Sequence, residues 1–265
     1  EDMQQNCNPQ LSEIDVKNIK LYKRRYLVLL VIFLALFSNG EVWMTHVSVS
    51  NESASYYKTT PEVVNWFGTI LLLVYAVVAI PFTILSKKIG LKSTIVFGCA
   101  ANFSGSVLRL ISLIIPDDNR TVNLAISLLG NAVFGVAMGI LYGLPVMVSS
   151  VWLGDKERSI GVSGTYMANA VGVGVGFLDI YLAIGTSSDD VHIKNSFLYI
   201  TIGETILNTL VLVLSILFVT ETPPTPPSHS EAMKSRKLEN ISFWDATIKL
   251  LKEMYKVLMF ENSIV

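Results

Sequence analysis

Three charged residues, Glu41, Arg109 and Glu204, lie inside long runs of apolar residues. A charge in such a setting is costly, so it normally faces a partner or a water-filled cavity. At the helical rise of 1.5 Å per residue, Glu41 lies about 22 Å and Arg109 about 24 Å from the start of its run, and Glu204 lies about 10 Å into a run of opposite direction. These depths permit a Glu41–Arg109 pair, which would either only fix helix packing or form part of a polar cavity wall or gate.

The run that contains Glu41 carries two polar stripes. One helical face is formed by residues spaced by three and four, namely Ser38, Glu41, Thr45 and Ser48. A neighbouring stripe consists of Asn39, Trp43 and His46. An aqueous cavity would explain both stripes. Trp43 is then either an anchor at a membrane interface or an aromatic wall for a cationic substrate, because tryptophan faces attract quaternary ammonium groups.

Small residues recur at a spacing of four in two further runs. They are Gly135, Gly139 and Gly143 in one run, and Gly172 and Gly176 in the next. This spacing predicts helices that approach one another closely. Pro145 follows the first set, and we expect it to bend its helix.

The elements that must position these residues are six apolar runs. The chain of 265 residues is 51% hydrophobic and only 15% charged, whereas soluble domains carry about 25% charge. About 20 apolar residues cross a bilayer as a helix. The predicted spans are 26–49, 65–85, 93–115, 122–151, 159–184 and 197–219. The expected fold class is therefore an all-α membrane protein whose main partner is the lipid bilayer.

Most lysines and arginines flank the predicted spans on one side. They lie before the first span, in the second-to-third and fourth-to-fifth loops, and after the sixth span. The positive-inside rule then places both termini in the cytoplasm. The N-glycosylation sequons at Asn51 and Asn119 both fall in loops predicted to lie outside.

Other classes of function lack support in the sequence. We find no metal-ligand cluster, phosphate-binding loop or nucleophile motif, so we expect neither an enzyme nor a cofactor. The net charge of −1 offers no basic field for nucleic acid.

A proline-rich stretch at 223–227 follows the sixth span and ends it. Beyond it, apolar residues recur at spacings of four and three, at Trp244, Ile248, Leu251, Tyr255 and Leu258. This pattern predicts an amphipathic helix that either lies on the inner membrane surface or packs under the bundle. The expected domains are a cytoplasmic tail (1–25), a six-helix bundle (26–219) and a linker with the amphipathic helix (220–265), which would lead to a missing second half.

Several stretches carry a family resemblance. They are Tyr22-Lys-Arg-Arg-Tyr-Leu-Val-Leu-Leu, Asn39-Gly-Glu-Val-Trp43, Asn65-Trp66 with Tyr75, Gly143-Leu-Pro with Ser150-Val-Trp-Leu-Gly, and Asn169-Ala-Val-Gly-Val-Gly-Val-Gly-Phe177. With these the chain resembles the feline leukaemia virus subgroup C receptor-related family of the major facilitator superfamily. The resemblance implies two six-helix halves, each built from two three-helix inverted repeats, with the substrate between the halves.

The resemblance also implies a substrate site. Family members are linked to choline and ethanolamine uptake and to haem export. Trp43 matches the first-helix tryptophan that stacks on the choline ammonium group, and Asn39, Tyr75 and Asn169 match other family positions. Met138 and Ala170 stand where the family has glutamines, Lys87 stands for a loop aspartate, and Glu41 replaces an apolar residue.

The expected function is transport of a small organic solute, choline or a related cation, by alternating access at the plasma membrane. Haem is the second candidate, although His46 is the only histidine within a predicted span. A non-transporting membrane receptor and a regulatory half-transporter are the alternatives from other classes.

Overall fold

The structure is a computed structural model that describes residues 22–116, 119–185, 187 and 189–223. The predicted tail before residue 22, His229 and the amphipathic segment 244–258 lie outside the described residues. The described part of the chain is helical and contains no strand. Six of its helical stretches are long and apolar enough to cross a membrane, as the sequence predicted.

The helices follow one another with short connections. In chain order they are α1 (Arg24–Thr45), α2 (Ser50–Tyr57), α3 (Pro61–Val64), α4 (Trp66–Ile89), α5 (Leu91–Ile114), α6 (Arg120–Leu141), α7 (Leu144–Trp152), α8 (Asp155–Ile184) and α9 (Asp190–Phe218). The second span combines α3 and α4, and the fourth combines α6 and α7. α1 packs along α8, α6 packs against both α4 and α5, and α9 packs against α5 and α1.

The sixth span begins seven residues earlier than predicted. The Asp189 side chain accepts hydrogen bonds from the backbone N–H groups of Val191 and His192 and so caps α9. The first two turns of α9 are mostly polar, so a prediction based on apolar runs did not include them. The earlier start places Glu204 near the middle of α9.

The fourth span breaks at Tyr142 and Gly143, just before Pro145 in the first turn of α7. Proline is tolerated in the first turn of a helix but not in its interior, so α7 starts as a new helix here. An added Cβ on Gly143 would meet only Thr83 Oγ1, at 4.0 Å. Gly143 therefore belongs to the break and makes no close helix contact.

The other four predicted packing glycines lie at tight helix crossings. A Cβ at Gly172 or Gly176 would collide with the backbone oxygens of Phe37 and Glu41 on α1. Gly135 and Gly139 also lie close to α4, against its backbone at Leu71 and against the Val78 side chain. These contacts bring α8 onto α1 and α6 onto α4.

Polar contacts tie the helix ends together at each end of the bundle. At one end, Arg25 pairs with Glu157 at 3.1 Å and Arg24 Nε donates to the Phe218 carbonyl at 2.9 Å. We call this the basic end. At the opposite end, Arg120 pairs with Asp190 at 3.8 Å.

Candidate functional site

Four aromatic residues lie around one buried apolar cluster, and we call them the aromatic wall. They are Trp43 of α1, Tyr75 of α4, Tyr142 at the α6–α7 break and Tyr166 of α8. Trp43, Tyr75 and Tyr142 pack against that cluster, and the Tyr166 ring lies next to that of Tyr142. The ring centroids of Tyr75 and Tyr142 are 5.5 Å apart, and those of Tyr142 and Tyr166 are 5.8 Å apart. All four side chains are only partly buried, so the wall can meet a ligand.

Tyr142 is held at the centre of the wall by hydrogen bonds. Its hydroxyl donates to Asn169 Oδ1 at 2.6 Å, and its carbonyl accepts from the Tyr166 hydroxyl at 2.7 Å. Asn169 Nδ2 in turn donates to the Leu36 carbonyl at 3.0 Å. Both ends of the Asn169 amide are thus engaged, and this residue positions Tyr142 from behind.

One predicted substrate residue, Met138, lies beneath the wall. Met138 is buried in an apolar cluster with Val42, Leu71 and Phe134, against which Trp43, Tyr75 and Tyr142 pack. Met138 is therefore a support for the rings. The glutamine-to-methionine change that the resemblance pointed out places an apolar group at this position.

Asn39 is buried in the interior, away from the wall. Its Nδ2 donates to Asn102 Oδ1 at 3.0 Å and to the Phe134 carbonyl at 3.1 Å. Asn102 Nδ2 then donates to the Ala35 carbonyl at 2.9 Å. This arrangement joins three helices and presents no free amide donor to a ligand.

The Glu41–Arg109 pair that the sequence permitted does not form. Arg109 Nη1 instead contacts both carboxylate oxygens of Glu204, at 2.9 and 3.1 Å, and both side chains are at most 1% exposed. The reason is helix position: α5 packs directly on α9. The Thr45 hydroxyl also donates to Glu204 Oε1, at 3.3 Å.

Glu41 lies on the side of α1 that faces α8. It is 8% exposed, and its carboxyl group is within hydrogen-bonding reach of Asp179 on α8. The close approach of Gly176 to the Glu41 backbone brings the two helices together here. The pairing of Glu41 is thus with another acid and not with a base.

His46 belongs to the same buried group as Arg109. Its Nδ1 lies 3.0 Å from Arg109 Nη2, and because a guanidinium only donates, Nδ1 is the acceptor and Nε2 carries the proton. The ring is stacked between Phe67 and Phe197, at centroid distances of 4.3 and 4.7 Å. Tyr57 Oη lies 3.4 Å from Nε2 and donates to Ser127. We call Arg109, Glu204, His46, Thr45 and Tyr57 the buried polar cluster.

The sequence predicted one aqueous cavity beside both polar stripes of α1. In the structure the two stripes have different surroundings. Ser38 donates to Asn208 Oδ1 at 3.0 Å and Thr45 donates to Glu204, so these two face α9 in the interior. In the neighbouring stripe, Asn39 and His46 are buried, and Trp43 alone reaches the aromatic wall.

Sequence reasoning missed Tyr142 and Tyr166. The helix break offered one signal, since Tyr142 directly precedes Gly143-Leu-Pro145, where a helix has to restart. Tyr166 had no comparable signal in its own segment. Among the residues that the structure describes, no group of three histidines, cysteines or acids could hold a metal ion.

Comparison with known proteins places this geometry in context. The model of the Major Facilitator Superfamily matches residues 28–259. An uncharacterised MFS-type transporter of Caenorhabditis elegans is 28% identical over 243 residues, which cover 91% of this chain and 40% of the relative. The human choline/ethanolamine transporter FLVCR2 is 26% identical over 248 residues, or 92% of this chain and 46% of the relative.

A third relative gives the same relation. The mouse choline/ethanolamine transporter FLVCR1 is 28% identical over 229 residues, which cover 80% of this chain and 39% of that protein. The chain thus spans less than half the length of these curated relatives.

Proposed function

Because this chain belongs to the major facilitator superfamily, we propose that it forms one half of a transporter that carries a small organic cation by alternating access, with choline as the preferred substrate. The observation that carries the proposal is the aromatic wall. Its side chains come from four different spans and are partly exposed. Faces of tryptophan and tyrosine attract quaternary ammonium groups without needing a carboxylate.

The charges inside the bundle favour a cation over an anion. Among the described residues of the spans, Arg109 is fully buried and paired with Glu204, so its charge is not available to bind an anion. Glu41 and Asp179 lie on α1 and α8, the helices that carry Trp43 and Tyr166. A remaining negative charge there would add attraction for a substrate cation.

The names of two relatives agree with this substrate class. FLVCR1 and FLVCR2 are choline/ethanolamine transporters, and ethanolamine is also a small cation with a hydroxyl group. We therefore take choline as the first substrate to test and ethanolamine as the second. The partner that completes the substrate site is a second six-helix half, facing the wall.

Haem is a weaker candidate for this chain. His46 has both ring nitrogens next to polar partners, both faces stacked and only 1% of its surface exposed. His192 lies at the opposite end, where its Nε2 contacts the Ala183 carbonyl at 3.0 Å. Neither histidine offers an open nitrogen in a cavity that could ligate haem iron.

We further propose that the protein acts at the plasma membrane with the basic end in the cytoplasm. The basic residues at that end support this orientation through the positive-inside rule. The predicted domains remain part of this proposal: a cytoplasmic tail (1–25), a six-helix bundle (26–219) and a linker with an amphipathic helix (220–265).

The test is uptake of radiolabelled choline by cells that express the transporter with both halves, comparing Trp43→Ala with wild type. Trp66→Ala is the matched control, because Trp66 is 52% exposed and lies outside the aromatic wall. Loss of a cation–π contact of about 1–2 kcal/mol predicts a rise in choline KM of roughly tenfold for Trp43→Ala. Trp66→Ala should leave KM unchanged.

Two results would contradict the proposal. Normal choline affinity in Trp43→Ala would remove the wall from the site. No uptake of choline or ethanolamine by a correctly inserted wild-type protein would favour a receptor or a regulatory half-transporter. Both variants should be checked for equal surface expression, so that poor folding is not read as lost binding.

A further inference from the structure

A groove of about 360 Å³ runs between α1 and α8 near the basic end. Most of its lining is apolar or glycine, namely Tyr26, Leu30, Phe33, Ile160, Gly161 and Gly164. The glycines leave the space open, since a Cβ added to Gly164 would meet no atom within 4 Å. At 1.5 Å per residue, the stretch from Tyr26 to Phe33 is about 10 Å long, or about two-thirds of one leaflet of a bilayer whose hydrocarbon core is about 30 Å thick.

The groove is bounded at both ends by contacts between the same two helices. Toward the middle of the bundle, α8 lies against α1, where a Cβ on Gly172 would collide with the Phe37 backbone. At the basic end, Arg25 of α1 pairs with Glu157 of α8 at 3.1 Å. The groove is therefore a recess of fixed length, held open by glycines between two points where the helices are joined.

This groove opens away from the aromatic wall. Gly164 precedes Tyr166 by two residues, which places the two positions about 160° apart around α8. On α1, Leu30 and Trp43 lie about 140° apart in the same way. The face of α8 that continues from the groove carries Met167, which is 68% exposed. The groove thus faces lipid, whereas the proposed second half faces the wall on the other side of these helices.

Two lysines lie one helical turn beyond the groove at the basic end. Lys23 precedes Tyr26 by three residues and Lys156 precedes Ile160 by four. Residues at these spacings share a helical face, so both lysines stand on the faces that form the groove. Both are exposed, and neither has an ion-pair partner among the described residues.

The two acids that flank the second lysine in sequence are already paired with arginines. Glu157 contacts Arg25 at 3.1 Å, and Asp155 contacts Arg158 at 3.2 Å. The lysine charges are therefore not balanced by these acids, and they lie next to an apolar recess. This combination matches an anionic phospholipid, which joins a negative phosphate to apolar acyl chains.

We propose that the groove between α1 and α8 binds one anionic phospholipid, with an acyl chain along Tyr26 to Phe33 and the phosphate beside Lys23 and Lys156. The lysines lie about 5 Å beyond the apolar lining along the helices, which is where a headgroup follows its chain. In the orientation proposed above, this end lies in the cytoplasmic leaflet, where anionic lipids are found. The site goes beyond transport and is independent of the transported substrate.

Native mass spectrometry of the transporter with both halves, purified in detergent, tests this site. The protein is titrated with palmitoyl-oleoyl phosphatidylglycerol or phosphatidylcholine, which carry the same acyl chains and differ in headgroup charge. Free choline in excess keeps the choline headgroup off the aromatic wall. The charge variant is Lys23→Gln with Lys156→Gln. Its matched control is Lys88→Gln with Lys92→Gln, which removes the same charge beside the second-to-third connection.

A second variant blocks the apolar part of the groove. Gly164→Leu places a side chain in the open space and should weaken binding of both lipids. Gly203→Leu is its control, since an added Cβ on this α9 residue also meets nothing within 4 Å. The melting temperature without added lipid shows whether each variant is folded. If Gly164→Leu is unstable, Ile160→Phe replaces it, because Ile160 is 73% exposed and tolerates a larger side chain.

We expect wild type and both controls to bind phosphatidylglycerol roughly tenfold more tightly than phosphatidylcholine, and the double lysine variant to bind the two lipids alike. Equal affinity of wild type for the two lipids, or an unchanged preference in the double lysine variant, would overturn the assignment to an anionic lipid. Unchanged binding of both lipids by the folded groove-blocking variant would overturn the groove as the site of the acyl chain.

Discussion

The buried polar cluster and the aromatic wall use similar side chains in opposite ways. Arg109, Glu204 and His46 are enclosed, and they contact one another and their neighbours directly. The tyrosines of the wall are only partly buried, and the hydroxyls of Tyr142 and Tyr166 donate hydrogen bonds to Asn169 and to the Tyr142 carbonyl. A polar group inside a membrane bundle therefore indicates a binding site only when its neighbours leave part of it unoccupied.

The largest effect should come from breaking the cluster. Arg109→Leu leaves the Glu204 carboxylate buried without its partner, which should destabilise the bundle by about 3–5 kcal/mol. The double variant Arg109→Met with Glu204→Leu removes both charges and should recover most of this loss. Thermal unfolding in detergent measures both. Equal stability of the single variant and wild type would contradict a structural role for the pair.

The crossing of α8 with α1 offers the next test. Gly176→Ala should cost about 1–3 kcal/mol, because the added methyl group overpacks the crossing of α8 with α1 at the Glu41 carbonyl. Gly174→Ala is the control, since nothing lies within 4 Å of its added Cβ. The same unfolding assay should show a clear loss for the first variant and no loss for the second. If both behave alike, close packing at this crossing is not limiting.

Substitutions in the aromatic wall should change the affinity for substrate through loss of a ring, and not the stability of the protein. Tyr75→Ala should raise the choline KM several-fold, whereas Tyr75→Phe keeps the π-face and should remain near wild type, since cation–π contacts contribute about 0.5–2 kcal/mol. Uptake kinetics at matched expression separate the two. A defect in Tyr75→Phe as large as that in Tyr75→Ala would show that the hydroxyl, and not the ring, matters.

A change in Tyr142 should combine both kinds of effect on a smaller scale. Tyr142→Phe removes the 2.6 Å hydrogen bond to Asn169 and should cost about 1 kcal/mol of stability. Asn169 then loses one partner, and we expect a modest rise in choline KM. An unchanged melting temperature together with an unchanged KM would contradict the positioning role of Asn169.

The smallest structural effect is expected at the sequons, which report which end of the bundle faces outward. Asn119 and Thr121 are both exposed just before and within the start of α6, whereas Ser53 of the Asn51 sequon is buried and donates to the His46 carbonyl at 3.1 Å. We expect Asn119→Gln to remove the main mass shift caused by glycosidase, and Asn51→Gln to remove less. Absence of any glycan would count against an outward-facing position of the end of the bundle that carries Asn51 and Asn119.

The spans could be predicted from the sequence because each needs only its own apolar run. The partner of Arg109 could not, because it depends on which helices pack together and on the polar first turns of α9, capped by Asp189. From depth, the sequence predicted only Glu41 as the partner of Arg109, although Glu204 lies in the same half of the membrane. The resemblance located Trp43 and Tyr75, whereas Tyr142 and Tyr166 required the helix break and the meeting of two distant segments.

That break at Tyr142 and Gly143 links two parts of the molecule mechanically. The Tyr142 carbonyl accepts a hydrogen bond from the Tyr166 hydroxyl. The short helix α7 that follows the break contributes Val146, Met147, Ser150 and Val151 to the lining of a cavity of about 650 Å³ at the basic end. A rotation of α7 about this break would move the aromatic rings and change the shape of the cavity at the same time. A change in the tilt of α7 would therefore affect both the middle of the bundle and its basic end.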